Sequence, residues 1–372
     1  MKAFYSDPTN IGSICEVIAG QSPKSSAYNI EGNGVPFYQG KKDFGLRYIY
    51  PAKKWTTQIT KEAKAGDILM SVRAPVGPIN EATETICIGR GLAAIRASEE
   101  IDKNYLWYGL LWLQPEIKGH EGAVFSSINK KGIEALKIPL PPLEEQKRIV
   151  AILDEAFEGL DRARAHTEAN LQNAKELFES HVEGEVEECE KSFAKKPLGE
   201  ICENLDRQRV PITKNKRVAG DIPYYGASGV VDHVKDFLFD EDLLLISEDG
   251  ANLLARTYPI AFSISGKTWV NNHAHVLRFE NEFEQEFVSL FFNSISIEPW
   301  VSGMAQPKLN QKSLNGIPIP MPDKTTCERI VSKANAVMET SNELQNAYKT
   351  KLQDLDDLRQ SLLQKAFAGE LT

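Results

Sequence analysis

Residues 143–180 read LEEQKRIVAILDEAFEGLDRARAHTEANLQNAKELFES, and residues 324–367 read KTTCERIVSKANAVMETSNELQNAYKTKLQDLDDLRQSLLQKAF. Neither stretch contains proline, and from Leu143 to Glu190 only Gly159 and Gly184 are weak helix formers. Apolar and small residues recur three and four apart. In the first stretch the seam is Ile149, Leu153, Ala156, Leu160, Ala163, Thr167, Asn170, Ala174 and Leu177. In the second it is Ile330, Ala334, Val337, Ser341, Leu344, Tyr348, Leu355, Leu358 and Leu362. This spacing predicts two helices that bury a shared stripe. Both exceed the common helix length of about 11–12 residues, which argues against two ordinary surface helices on separate cores. Small seam residues suit close antiparallel packing. The run Ile149–Leu177 would span about 43 Å at about 1.5 Å per residue.

Ile149, Leu153 and Ala156 return as Ile330, Ala334 and Val337, so the helices repeat in register. The segments before them repeat too. Gly12-Ser-Ile-Cys-Glu16 returns as Gly199-Glu-Ile-Cys-Glu203, and Val35-Pro-Phe-Tyr38 as Ile222-Pro-Tyr-Tyr225. Asp67-Ile-Leu-Met70 resembles Asp242-Leu-Leu-Leu245, and the exit Ile138-Pro-Leu-Pro141 resembles Ile319-Pro-Met-Pro322. Matches in one order predict an internal duplication. The expected fold class is therefore α+β, with two similar α/β units joined by a long antiparallel two-helix coiled coil and related by a pseudo-two-fold. The expected parts are a first unit at 1–142, a helix and hinge at 143–195, a second unit at 196–322 and a second helix at 323–372. In the first unit, short β-like runs (Ile14–Ile18, Asp67–Val72, Thr85–Ile88, Leu92–Ile95) precede a helix at Asn104–Leu113, which Phe287–Ile297 matches in the second. A near two-fold would place one unit at each end of a shared shaft. Such an object suits a long, pseudo-symmetric ligand with two half-sites, and duplex DNA is the candidate.

The net charge of −9 over 372 residues argues against a simple nucleic-acid binder, but the acid is concentrated. Residues 1–142 carry +3, whereas residues 143–195 carry −7, much of it in Glu183, Glu185, Glu187, Glu188 and Glu190. That run is expected to be a solvated face or a flexible hinge; alternatively it repels DNA or docks a protein. Hydrophobic content of 42% is ample for globular cores. No apolar run reaches the ~18–20 residues a bilayer requires, and the segment Met1–Pro8 lacks a signal-peptide core. The chain is expected to be cytoplasmic, without a membrane partner. Cys15, Cys87, Cys189, Cys202 and Cys327 are scattered, which fits free thiols in a reducing compartment.

The segment Ile138-Pro-Leu-Pro-Pro-Leu-Glu-Glu-Gln-Lys-Arg-Ile-Val-Ala-Ile-Leu-Asp154 resembles the entry to the central helix of type I restriction-modification specificity subunits. The ending Ser361-Leu-Leu-Gln-Lys-Ala-Phe-Ala-Gly-Glu-Leu-Thr372 resembles that family's C-terminus. Ile222-Pro-Tyr-Tyr-Gly-Ala-Ser-Gly229 and Trp269-Val-Asn-Asn-His-Ala-His-Val-Leu277 are similar to stretches of its target-recognition domains. The resemblance covers essentially the whole chain. It implies that each unit reads one part of a bipartite site in double-stranded DNA. It also implies that the helices set the spacing and that the chain docks two methyltransferase subunits, with restriction or translocase subunits able to join. No cofactor is expected in this chain; S-adenosylmethionine and ATP with magnesium are expected in the partners. One departure stands out. The second helix opens Lys324-Thr-Thr-Cys327 where the first has Leu143-Glu-Glu-Gln146, so docking there is expected to be weaker or asymmetric.

Candidate DNA contacts in the first unit are Gln21, Ser22, Tyr38, Gln39, Lys41, Lys42, Arg47, Lys53 and Lys54. Cations displace counterions from phosphates, and amide and hydroxyl groups hydrogen-bond to base edges. In the second unit the candidates are Arg207, Arg209, Lys214, Lys216 and Arg217, Ser228 in a glycine-flanked loop, and Lys267, Asn271, Asn272 and His273. The bland alternative is a set of solvated loops and core aromatics. His273 and His275 are expected to alternate along a strand and share a face. With no matching Cys or acidic cluster in view, no metal site is expected. No phosphate loop and no methyltransferase motif is present; Pro322-Asp323-Lys324 resembles a nuclease fragment but lies beside a helix start. The chain is expected to supply an address and no catalysis. A rival reading is a protein-interaction scaffold with two globular ends on a coiled-coil spacer.

Overall fold

A computed structural model describes residues 8–118, 127–303 and 306–371. The segment 1–7, on which the reading of the N-terminus rests, and Thr372 lie outside the described residues. The chain divides into two compact units, residues 1–167 with 351–372 and residues 168–350. Each unit thus contains a globular head and part of each long helix.

The first unit runs β1 (Thr9–Asn10), α1 (Ile11–Ile14), β2 (Cys15–Ala19), β3 (Tyr28–Asn29), β4 (Val35–Tyr38), β5 (Trp55–Thr56), β6 (Glu62–Ala63), β7 (Ile68–Ser71), β8 (Ile79–Glu81), β9 (Ile86–Ile88), β10 (Leu92–Ala97), α2 (Lys103–Lys118), α3 (Lys130–Glu134) and β11 (Lys137–Ile138). The first long helix is α4 (Leu143–Ser192). The second head runs β12 (Lys195–Pro197), β13 (Glu203–Asn204), β14 (Ile222–Gly226), β15 (Gly229–Val234), β16 (Phe239–Asp240), β17 (Leu243–Ser247), α5 (Asn252–Ala255), β18 (Ala261–Ile264), β19 (Lys267–Val270), β20 (Ala274–Arg278), α6 (Glu282–Ser294), α7 (Gln311–Asn315) and β21 (Pro318–Pro320). The second long helix is α8 (Lys324–Ala368).

The two heads share one topology. An antiparallel sheet has order β2-β10-β7-β8 in the first and β13-β20-β17-β18 in the second. A second sheet places a parallel pair centrally, β4 with β9 in one head and β14 with β19 in the other. On one side of that pair lies an antiparallel hairpin partner, β5 or β15; on the other lies β6 or β16. A short antiparallel pair closes each head, β1 with β11 and β12 with β21. The duplication read in the sequence is therefore a duplication of fold.

Burial follows from strand alternation. In β7, Ile68 and Met70 face the helical layer while Leu69 faces the second sheet. In β17, Leu244 and Ile246 face helices and Leu243 and Leu245 face the second sheet. Sheets covered on both faces need continuous apolar runs, which is why DILM and DLLL stand out. Asp102 caps α2 by accepting from the backbone N–H groups of Asn104 and Tyr105. Asn281 caps α6 in the same manner. Asp323 accepts from Thr326 N–H at 2.8 Å and caps α8, which accounts for the nuclease-like fragment. Gln146 is fully buried and ties the loop before α2 to α4 by accepting from Asp102 N–H and donating to Glu100 and Pro141 carbonyls. Cys327 holds the matching position on α8, buried, and its thiol donates to the Pro322 carbonyl at 3.8 Å, the counterpart of the Gln146 contact to Pro141.

Within each unit the long helices run antiparallel. In the first, Asp161 pairs with Arg359 at 3.2 Å and Arg164 with Asp356 at 2.5 Å, while the Arg359 guanidinium lies over the Phe157 ring. In the second, Ser341 donates to the Ala174 carbonyl at 2.6 Å, and Glu185 receives Lys333 at 2.7 Å and Arg329 at 3.4 Å. Of the predicted seam, Ile149, Leu153, Thr167, Ala174, Ile330, Ala334 and Ser341 are buried. Ala156, Leu160, Ala163, Val337, Leu344, Tyr348, Leu355 and Leu362 are half-buried. Asn170, Leu177 and Leu358 are exposed, which corrects the reading. Phe178 and Arg359 take the inward places instead. A straight helix slips about 20° per heptad against a 3.5-residue repeat, so a strict heptad count drifts by nearly one residue over four heptads. The acidic run 183–190 is not a hinge. It is helical, with Val182, Val186 and Cys189 buried between the glutamates and Glu187 paired to Lys191.

Candidate nucleic-acid interface

In the first head, loops that follow the strands of both sheets meet at one edge. Gln21 N–H donates to the Ile88 carbonyl, Arg90 N–H to the Ser22 hydroxyl and Gly91 N–H to the Gln39 carbonyl. Close approach requires glycine here: a Cβ on Gly20 would lie 2.2 Å from the Gly89 oxygen, and one on Gly91 would lie 2.4 Å from the Gln39 oxygen. Gln21 and Gln39 are exposed and Ser22 is half-buried. Lys41 and Lys42 occupy an exposed turn directly after Gln39-Gly40. Lys53 and Lys54, also exposed, lead into β5 alongside the end of β4, where the Lys54 carbonyl accepts from Phe37 N–H. Six of the candidates other than Ser22 are thus free side chains around one edge.

Two candidates are corrected. Tyr38 is 2% exposed, and its hydroxyl donates to the Tyr50 carbonyl at 2.9 Å. Burial, with Glu84 and Asp43 nearby, pushes its phenol up to about 12. Arg47 is held by Glu81 at 3.4 Å and Asn104 at 2.5 Å, with Trp107 beneath its guanidinium. Both act in packing. Aromatic and cationic identity does not reveal burial: Arg47 lies between the exposed Leu46 and Tyr48, and Tyr38 directly before the exposed Gln39.

The second head builds the equivalent edge from Leu205–Arg207, Ala227-Ser228, Glu248–Gly250 and Asn271–His273. Arg207 is exposed on this edge. Ser228 sits exposed in the two-residue turn from β14 to β15, and the Ala227 carbonyl accepts from the Ser247 hydroxyl. Asn271 is buried; its N–H donates to the Tyr225 carbonyl and its side chain accepts from His273 N–H. Asn272 and His273 are exposed, with the His273 Nδ1 2.9 Å from both Asp249 oxygens.

Other candidates do not gather there. Lys267 lies at the far end of β19 from Asn271, its ammonium over Phe237. Lys214 and Lys216 are exposed but lie along the outer hairpin, where Arg217 is fixed by Asp232 at 2.8 Å and the Tyr224 ring. Hydrogen bonding to Asp232 raises the Arg217 guanidinium above its ordinary value. Arg209 is internal, reaching Glu248 and the Ala274 carbonyl at 2.6 Å and Asp206 at 3.4 Å.

The histidines do not share a face. His273 precedes β20 and is exposed; His275 is fully buried. Its Nδ1 lies 2.6 Å from Asp206, and its Nε2 donates to the Leu309 carbonyl at 2.8 Å. Asp206 and Glu248, acids remote in sequence, thus form an acidic cluster with His275 that the linear reading missed. Arg209 and Lys308 neutralise it from within. Burial opposes ionisation of Asp206, but His275, the Val276 N–H and Arg209 hold its carboxyl below the usual range. The linear reading also missed Arg73 and Arg90, each isolated in sequence and exposed at the first edge.

Comparison with known proteins places this architecture. The family described as "Type I restriction modification DNA specificity domain" matches residues 6–171 and again residues 190–354. The putative type I restriction enzyme MjaX specificity subunit of Methanocaldococcus jannaschii is 46% identical over 162 residues, 43% of this chain and 38% of that protein. The matched stretch therefore spans well under half of that relative's length. The type I restriction enzyme EcoBI specificity subunit of Escherichia coli is 21% identical across 98% of this chain and 85% of its own length. Among solved structures, the HsdS subunit of Thermoanaerobacter tengcongensis is 45% identical, covering 43% of this chain and 38% of that one with a TM-score of 0.39. With two matches to one family spanning both heads, this chain belongs to the type I restriction-modification DNA specificity family.

Proposed function

We propose that this chain is the address-reading subunit of a type I restriction-modification complex and binds a split site in double-stranded DNA, one half-site per head. The observation that supports this most is a pair of edges with the same topology and different side chains. The first presents Gln21, Ser22, Gln39, Lys41 and Lys42; the second presents Arg207, Ser228, Asn272 and His273. A common frame with different donors and acceptors suits two different base sequences, since phosphate contacts position a protein and base-edge contacts specify. The helices would set the distance between half-sites; about 43 Å of helix corresponds to about 13 base-pair rises of 3.4 Å.

Catalysis is assigned to partners. Two methyltransferase subunits would dock on this chain, flip an adenine out of the duplex and methylate it with S-adenosylmethionine. Restriction or translocase subunits using ATP and magnesium would join that core. No helix among the described residues is long and apolar enough to cross a membrane, which fits a cytoplasmic complex. The test is to map modified adenines in host DNA with and without the chain. The reading expects one bipartite motif that vanishes when the chain is removed. An unchanged map would overturn it.

A further inference from the structure

At the edge of the first head lies a recess of about 260 Å³, lined among others by Gly20, Arg73, Arg90, Ser127, Asn129 and Lys130. Arg73 and Arg90 are exposed and have no acidic partner among the described residues; Lys130 has only a loose, solvent-facing approach to Glu134 at 3.5 Å. Three cations thus converge from three loops: the one after β7, the β9–β10 turn and the start of α3.

The shared topology fixes what stands at each place in the second head. Arg73 bridges to Ser127 as Asp249 bridges to Lys308. Arg90 lies in the β9–β10 turn as Asn272 lies in the β19–β20 turn, and Lys130 opens α3 as Gln311 opens α7. Two arginines and a lysine are therefore matched by an aspartate, an asparagine and a glutamine. Lys308 stands where the first head has Ser127 and is drawn to Glu248 at 3.1 Å, Asp249 is engaged by His273, and Arg207 stays exposed on this edge.

We propose that the recess formed by Arg73, Arg90 and Lys130 binds a backbone phosphate of the DNA, a salt-dependent contact that the matching place in the second head, with Asp249, Asn272 and Gln311, does not make. This rests on the DNA reading above and assigns the two heads unequal roles within it. Each phosphate neutralised on duplex DNA contributes about −0.9 to the slope of log affinity against log salt.

The experiment measures that slope for the full chain assembled with its methyltransferase subunits, using a labelled duplex of random sequence and salt from about 50 to 200 mM. The double variant Arg73→Ala, Arg90→Ala is expected to flatten the slope by about 1, and Arg73→Lys, Arg90→Lys to retain it. Lys308→Ala, which removes the cation at the matching place of the second head, is expected to leave it unchanged. An unaltered slope in the double alanine variant, or equal flattening by Lys308→Ala, would overturn the asymmetry while leaving DNA reading intact. If the parent complex bound duplex DNA without salt dependence, the DNA reading itself would fall. Circular dichroism verifies that each variant is folded.

Discussion

Phe367, near the end of the second long helix, packs inside the first unit, and its removal tests that return directly. The residue is 3% exposed, stacked on Trp112 with centroids 5.2 Å apart and tilted against Tyr105 at 5.0 Å. Leu363 and Ala366 beside it are also buried in the same cluster. Phe367→Ala removes a ring from a filled core, and the loss of transfer energy and the cavity together cost about 3–5 kcal/mol. For a unit of this size each kcal/mol lowers the melting temperature by about 2–4 °C, so a drop of about 6–20 °C is expected. Phe367→Leu keeps most of the volume and should cost no more than about 1.5 kcal/mol. Thermal unfolding gives the total, and hydrogen exchange locates it. Protection should fall in β7, β10 and α2, with the strands of the second head unaffected. A cost below about 1 kcal/mol, or lost protection confined to residues 168–350, would refute the placement of this helix end.

Gly109→Ala should destabilise the same core despite alanine's better helix propensity, because the new Cβ would lie 2.0 Å from Ile138 Cδ1 and 3.3 Å from Phe367 Cε1; denaturant melts measure the loss. In the second head, Asp206→Asn strips a buried partner from His275 and Arg209 and should cost about 3–5 kcal/mol in urea unfolding near neutral pH. The sign with pH follows from the depressed carboxyl of Asp206: its contribution is present above the unfolded value of about 3.9 and is lost as pH falls through the folded value. The parent should therefore lose more stability on acidification than the variant, and parallel curves would contradict this. Burial pushes the thiols of Cys15, Cys202 and Cys327 up to about 12, so iodoacetamide at neutral pH should label them far more slowly in the folded chain than in urea, as mass spectrometry would show.

Much of this fold was legible because it is periodic and stated twice. The helices announced themselves by spacing, and DILM and DLLL marked the central strands because both sheet faces are covered. The seam failed only where a fixed heptad ran too long, at Asn170, Leu177 and Leu358. The interface was legible in part. Gln39, Lys41 and Lys42 stand together in sequence and in space. Arg73 and Arg90 are far apart in sequence and meet only through strand order, so no local pattern marks them. Tyr38, Arg47 and Arg209 were misjudged for the opposite reason: their chemistry invites a ligand, but partners from distant segments already occupy them. Likewise His275 acquires its acids from Asp206 and Glu248, which strand pairing alone brings together.

The central claim is that each head reads its own half of a divided address. Mapping modified adenines in cells that carry the chain with Asn272→Ala and His273→Ala tests it most directly. The account predicts that base preference relaxes in one block of the motif, while the other block and the spacing between them stay as in the parent. Changes in both blocks together, or a motif identical to the parent's, would contradict it.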